Sequence, residues 1–254
     1  MVEAPAGDRF LAWEGCCNVR DLGGLATADG SRIRRGALVR ADNLCRLTTS
    51  GQAALMAHGV RTVIDLRATE ELARAAHPFA AEKAEQGWPR YIHVPIFEAT
   101  DTATIAALAG EREVYGPNKV LLDRCGSGFA AALRAITTAP EGGVLVHCFV
   151  GKDRTGLVVA LTLAVAGVPA ETIAADYAMS DYYLQPIYAE MLAECNGDEA
   201  AIADLKPRLT SHSDTMLRTL SYLDWKYGGP EGYLRGIGLT TDELAALRRR
   251  VLDQ

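Results

Sequence analysis

No stretch of this chain is apolar for long enough to cross a bilayer. Its longest apolar run, Thr155 to Ala166, has twelve residues where about 20 are needed, so no stable membrane insertion is expected. The chain also lacks a positive balance. Its 26 Lys and Arg against 32 Asp and Glu leave a net charge of −6, which argues against nucleic acid or bulk anionic membrane as a general partner. The six cysteines (Cys16, Cys17, Cys45, Cys125, Cys148 and Cys195) lack the paired spacing of a disulfide framework or a zinc site. Adjacent cysteines such as Cys16 and Cys17 bridge each other only with strain. None of the five histidines stands in a His-Glu-x-x-His pattern, and neither metal nor cofactor is expected. Met1 to Gly15 holds Glu3, Asp8 and Glu14 and no apolar core, unlike an export leader, which points to the cytoplasm. There is no internal repeat, low-complexity tract or linker. With 254 residues, 49% of them hydrophobic, residues 1–254 can fill the core of a single domain.

What the chain does contain is concentrated between Val144 and Gly156. Gly142-Gly143 ends the preceding element, and Val144 to Val146 is short and β-branched, the pattern of a buried strand. The apolar run Thr155 to Ala166, stopped by Gly167 and Pro169, reads as a helix buried on most sides. Residues 148–154 therefore join a strand to a helix. Free amides converge in such a connection, and the helix start adds positive potential, so it suits a phosphate dianion. Cys148 and Arg154 stand at its two ends with five residues between them.

A thiol at a helix N-terminus beside Arg or Lys ionises far more readily than a free one, so Cys148 is expected to act as a thiolate. The planar fork of Arg154 can hold two phosphate oxygens and follow them into the transition state. The amides of Phe149, Val150, Gly151 and Lys152 complete the socket. Gly151 permits a bend that a side chain would obstruct, and Thr155 can donate its hydroxyl to the sulfur when the latter leaves.

His147 to Gly156 resembles the signature of the cysteine-based tyrosine phosphatase superfamily, and Gly-Lys-Asp-Arg-Thr-Gly is similar to its bacterial atypical branch of protein-tyrosine and lipid phosphatases. Asn18-Val19-Arg20-Asp21-Leu22-Gly23-Gly24, Val63-Ile64-Asp65-Leu66-Arg67, Ala175-Asp176-Tyr177 and Gly229 to Leu239 resemble that branch's other landmarks, in the same order along most of the chain. The resemblance implies that Cys148 is the nucleophile and Arg154 the phosphate ligand. It implies phosphotyrosine, with phosphoserine, phosphothreonine or phosphoinositides as further substrates.

Two carboxylates compete for the role of proton donor. The resemblance favours Asp153, although Lys152 beside it tends to keep it ionised. Glu98, after the strand pattern Tyr91 to Val94, matches a loop that supplies the acid elsewhere in the superfamily. Asp101 and Asp123 are reserves. Lys152 is either an ordinary solvated lysine or, as in related lipid phosphatases, a second cation at the rim. Arg20 with Asp21, and Asp65 with Arg67, are expected to be structural pairs. The alternative is that Arg20 or Arg67 lines the pocket, and Arg67 follows a strand at the carboxyl edge where parallel sheets bind ligands. Arg32, Arg34, Arg35 and Arg40 are expected on the solvated face of a hairpin after Asp29-Gly30. His147 is expected to shape the loop by hydrogen bonding, while His77 and His212 show no partner pattern.

Strand patterns at Arg61 to Leu66 and Tyr91 to Val94 alternate with helix patterns. The helices run from Thr48 or Thr49 to His58, Thr69 to Ala76 and Phe129 to Thr137. The expected fold is α/β, with a central, mainly parallel sheet and helices on both faces. Beyond Gly167 the chain reads as mainly helical: Pro169 to Met179, Ser211 to Tyr227, and Thr240 to Leu252 with a Thr240/Glu243 capping box. Residues 181–209 carry a broad aromatic and apolar face, and the resemblance suggests a helical lid. The function expected is hydrolysis of a phosphomonoester through phosphocysteine. Three alternatives stay open: a phosphatase of a small metabolite such as a nucleotide, a phosphate-binding module without turnover, and a thiol redox enzyme using Cys125 or Cys195 as its resolving cysteine. Oligomeric state is not legible.

Overall fold

A computed structural model describes residues 9–80, 87–111, 113 and 115–253. The leader expectation rests partly on residues 1–8, which lie outside that range. Five strands form one sheet: β1 (Arg20–Asp21), β2 (Leu38–Ala41), β3 (Val60–Asp65), β4 (Arg90–His93) and β5 (Gly143–His147), in the order β1-β2-β5-β3-β4. Only β1 runs antiparallel to its neighbour. The helices are α1 (Thr49–Ala57), α2 (Thr69–Arg74), α3 (Thr102–Gly110), α4 (Gly116–Arg124), α5 (Gly126–Thr137) and α6 (Asp153–Val165), then α7 (Ala170–Tyr183), α8 (Gln185–Glu194), α9 (Glu199–Leu205), α10 (Ser213–Tyr227), α11 (Pro230–Gly236) and α12 (Thr241–Val251). This is the α/β architecture expected, with the helical second half. Among the described residues no helix is long and apolar enough to cross a membrane.

The period of two in the strands divides the core. Leu38, Ile64, Val144 and Val146 enter one cluster, with α5, α6, α7, α10 and α12 against it. Val39, Val63 and Leu145 point the other way, into a smaller cluster with Leu55 of α1, Trp13 and Phe79. Burying each such side chain stabilises the fold by roughly 1.5–3 kcal/mol. Helix α6 lies in the larger cluster with ten of its thirteen residues buried, which is why its sequence is apolar all round.

Several boundaries follow the local rules. Thr48 caps α1 by accepting from the Gly51 N–H, and Thr240 and Glu243 form the capping box of α12. Strand β2 was not anticipated. Its third residue, Arg40, is buried and breaks the apolar pattern; it lies within the sheet and not on the solvated hairpin face expected for it. Arg32 and Arg35 are exposed and Arg34 is half-buried. Strands β2, β3 and β5 run parallel, so their carboxyl ends meet at one edge. Cys148 leaves β5 there.

Candidate active site

From Cys148 the chain turns through Phe149, Val150, Gly151 and Lys152 into α6. The carbonyls of this turn are held from outside. The Asn43 N–H donates to the Phe149 carbonyl (2.9 Å). Asn18 Nδ2 donates to those of Val150 (3.0 Å) and Gly151 (3.4 Å), and Arg40 Nη2 to that of Gly151 (2.7 Å). In a planar trans peptide the next N–H points opposite to the carbonyl. Pinning these oxygens outward therefore turns the amides of Val150, Gly151 and Lys152 inward. Gly151 has φ +67°, and a Cβ there would sit 2.2 Å from the Ala41 carbonyl oxygen. Only glycine fits.

The donors of this outer wall are themselves fixed. Arg20 Nη1 donates to Asn18 Oδ1 (2.5 Å), which leaves the Asn18 amide nitrogen to face the loop. Asp176 of α7 gathers three guanidiniums, from Arg9 (2.8 Å), Arg20 (3.1 Å) and Arg40 (2.8 Å). Burial opposes ionisation of Asp176, but Arg20, Arg40 and Arg9 outweigh it and hold the carboxyl well below the usual range. Burial, with Arg40 nearby, brings the Arg20 guanidinium down to about 10, still cationic at neutral pH. Arg20 is thus enclosed with Asp176, Asn18 and Ser180, and not paired with its neighbour Asp21.

Where the turn passes into α6 lies a cavity of about 500 Å³, lined by Lys152, Asp153, Arg154 and Tyr177 and by Phe97, Leu108 and Pro207 among others. Cys148 is only 2% exposed at the base of the turn, whereas Phe149 stands out toward solvent. The fork of Arg154 is taken bidentately by Glu71 (2.5 and 2.9 Å), and its guanidinium carbon lies 5.8 Å from the centre of the Phe97 ring. Burial would raise the Glu71 carboxyl, but Arg154 holds it below its ordinary value. Glu71 also accepts the Ala68 N–H at the start of α2 (2.8 Å), so the helix fixes the carboxylate that aims the arginine.

Lys152 is buried, not solvated. Its Nζ donates to the carbonyls of Arg208 (2.6 Å) and Thr210 (3.1 Å) and lies 3.5 Å from Asp153. Tyr177 donates its hydroxyl to Asp153 Oδ1 at 3.4 Å. The Tyr177 ring lies so near α6 that a Cβ on Gly156 would stand 3.0 Å from it. The Thr155 hydroxyl is buried and has no hydrogen-bond partner among the described residues. Residues 185–209 (α8, α9 and the short 3-10 turn Lys206–Arg208) cross over this side, with Leu184, Tyr188 and Leu209 packed on Val150.

The other candidates lie elsewhere. Glu98 accepts from the Thr69 N–H and hydroxyl (both 2.8 Å). Asp101 caps α3, and Asp123 is bonded by Tyr222, Tyr227 and Lys226. Of these four carboxylates only Asp153 lines the cavity. Arg67 is fully buried and grips Asp65 (2.7 Å), a structural pair and not part of the cavity lining. All six cysteines are free thiols; burial pushes Cys125 up to about 11, and Cys195 donates to the Met191 carbonyl.

Asn18, Asp176 and Tyr177 carry no individual signal of a role in the sequence, although each lies within one of its family-like motifs. Glu71 carried one faint signal, an acid placed to cap the start of α2. His77 carried none, yet its Nε2 lies 3.1 Å from His147 Nε2.

A family model described as the tyrosine phosphatase family matches residues 11–253. The chain is 31% identical over 226 residues to a tyrosine-protein phosphatase of Nostoc commune, covering 86% of this chain and 75% of that one. It is 32% identical over 246 residues to a Cupriavidus necator protein named provisionally as a tyrosine-protein phosphatase, covering 92% and 87%. To the triple specificity protein phosphatase PtpB of Mycobacterium tuberculosis it is 29% identical over 273 aligned positions, covering 92% and 96%.

Proposed function

The chain belongs to the tyrosine phosphatase family and is a phosphoric monoester hydrolase, and we propose that it works through a phosphocysteine on Cys148. One observation supports this reading above the rest: Cys148 opens a turn whose Phe149, Val150 and Gly151 carbonyls are drawn outward, and Arg154 beyond it lines the cavity.

In the first step the Cys148 thiolate attacks phosphorus in line. The S–P bond forms as the ester P–O bond breaks, and Asp153 gives its proton to the departing oxygen. The loop amides and Arg154 bind the equatorial oxygens, so catalysis is mainly positioning and charge stabilisation. Arg154 keeps at most part of its hold on Glu71 while doing so. In the second step water attacks phosphorus, Asp153 takes its proton, and the thiolate leaves, helped by the Thr155 hydroxyl.

Phosphotyrosine in proteins is the favoured substrate, because Phe97, Leu108 and Pro207 offer an aryl ring an apolar wall beside Arg154. Phosphoserine, phosphothreonine and phosphoinositides are the next candidates, and a small phosphorylated metabolite is the alternative. The segment 181–209 serves as a lid over Cys148, supported by its packing on Val150 and by the Lys152 bonds to its end. A reducing cytoplasm suits six unpaired thiols.

The test is a substrate panel of phosphotyrosine peptide, phosphoinositide and nucleotide run with chelator present. Activity on the peptide that is lost in Cys148→Ser supports the proposal. Full activity in Cys148→Ser rejects it, and a kcat/KM higher on the nucleotide would transfer the reading to metabolites.

A further inference from the structure

Behind the nucleophile lies a buried polar cluster that the chemistry above does not use. Ligand-type atoms of Asp65, His77 and His147 all fall within 4.8 Å of one another, a spacing that a metal ion could bridge. The protons point to another arrangement. The Phe79 N–H donates to His77 Nδ1 (3.1 Å). That nitrogen must then be the lone-pair nitrogen, and a neutral ring carries its proton on Nε2. Burial, reinforced by the neighbouring His147, lowers His77 to about 2, so the ring is neutral. Its Nε2–H therefore points at His147 Nε2, 3.1 Å away, which has to accept. Burial keeps His147 neutral as well, and its proton is left on Nδ1, 3.1 Å from the Cys148 carbonyl oxygen. Each hydrogen bond compels the next, from a backbone amide to the nucleophile's own peptide.

We propose that His77 is a positioning residue: it fixes the tautomer of His147, and His147 in that form holds the Cys148 peptide so that the sulfur faces the phosphate socket. This rests on the reading of Cys148 as nucleophile. The groups that face the pair are consistent with it. Asp65 Oδ2 lies 3.6 Å from His147 Nε2, farther than His77, and is already engaged by Arg67 (2.7 Å) and the Tyr91 hydroxyl (3.1 Å). Burial, with the positive charges of Arg67 and Arg154, outweighs the Asp65 charge, which favours a second proton on His147. Without the His77 donor, His147 could carry its proton on Nε2 toward Asp65. Its Nδ1 lone pair would then oppose the Cys148 carbonyl oxygen. The same logic speaks against a metal, since His77 has no free nitrogen lone pair to offer it.

Nitrogen NMR of the full chain labelled at histidine should show His147 protonated at Nδ1 at neutral pH; protonation at Nε2 overturns the proposal. Two variants extend the test. His77→Phe keeps a ring and loses the donor, and His77→Gln restores an amide N–H at a similar reach. In His77→Phe, kcat/KM should fall about tenfold, the scale of one hydrogen bond. The pH profile of Cys148 alkylation by iodoacetamide, read as the mass of its peptide, should move to higher pH. His77→Gln should recover both to within about threefold. An equal fall in both variants with an unmoved pH profile, or no fall in either, overturns the proposal. If His77→Phe does not fold, the wild-type NMR result decides. Full activity in Cys148→Ser would remove the nucleophile reading instead, while the tautomer of His147 would still report on the relay itself.

Discussion

The turn from Cys148 to Lys152 is gripped on two sides, and the two are built differently. On the outer side Asn18, Arg40 and Asn43 hold carbonyls, and Asp176 locks Arg9, Arg20 and Arg40, nearly all of it sealed from water. On the inner side Arg154, Lys152 and Asp153 face a cavity, and each leans on a partner it could exchange: Glu71, two backbone carbonyls and Tyr177. On the proposed mechanism the outer side sets the shape before substrate arrives, so no reorganisation is needed at the moment of reaction, and the inner side adjusts to substrate. Damage to the first should therefore appear as lost stability, and damage to the second as lost turnover.

The largest expected effect is on the outer side. Asp176→Ala strands three guanidiniums in a buried site, at a cost of about 3–5 kcal/mol. The melting temperature should fall by roughly 6–20 °C in calorimetry. An unchanged melting temperature would dissolve the distinction between the two sides. Next comes Arg154→Lys on the inner side. A point charge cannot replace the fork, so kcat/KM should drop about 10²–10³-fold while the melting temperature stays near that of the wild type.

These two residues also show how far the sequence could be read. Cys148, Arg154 and Gly151 were legible because strand, turn and helix are contiguous there, and local rules suffice to place them. Strands β3, β4 and β5 and most helices were legible for the same reason. Asp176 and Arg40 were not, because they are 136 residues apart and meet only after folding. A buried arginine also hides the strand that carries it, because in one dimension Arg40 looks like a surface residue. Glu98 and Arg67 resembled pocket residues in one dimension, yet α2 and Asp65 take up their charges.

A smaller effect sharpens the comparison through pH. The Asp176 carboxyl is lowered in the folded state, so the native chain binds fewer protons there than the unfolded chain. The stability it contributes is complete above the ordinary carboxylate value of about 3.9 and is lost as the pH falls below it. Asp176→Asn should flatten that acid limb in a plot of melting temperature against pH. Conversely, an unaltered limb would place the acid sensitivity elsewhere. The smallest expected effect concerns Lys152. Lys152→Met removes the bonds to Arg208 and Thr210 and should loosen the segment above Cys148. Inactivation by peroxide should then quicken by about threefold, the scale of one modest hydrogen bond, with the melting temperature little changed. Equal inactivation rates would count against a closing role for these bonds.

The most direct measurement is acid quench of the enzyme during turnover, followed by the mass of the peptide containing Cys148. A phosphoryl group attached to Cys148 in the wild type and missing in an inactive Cys148→Ser chain is the predicted result. Sustained hydrolysis by Cys148→Ser, with no phosphoryl group ever found on Cys148 of the wild type, would contradict it.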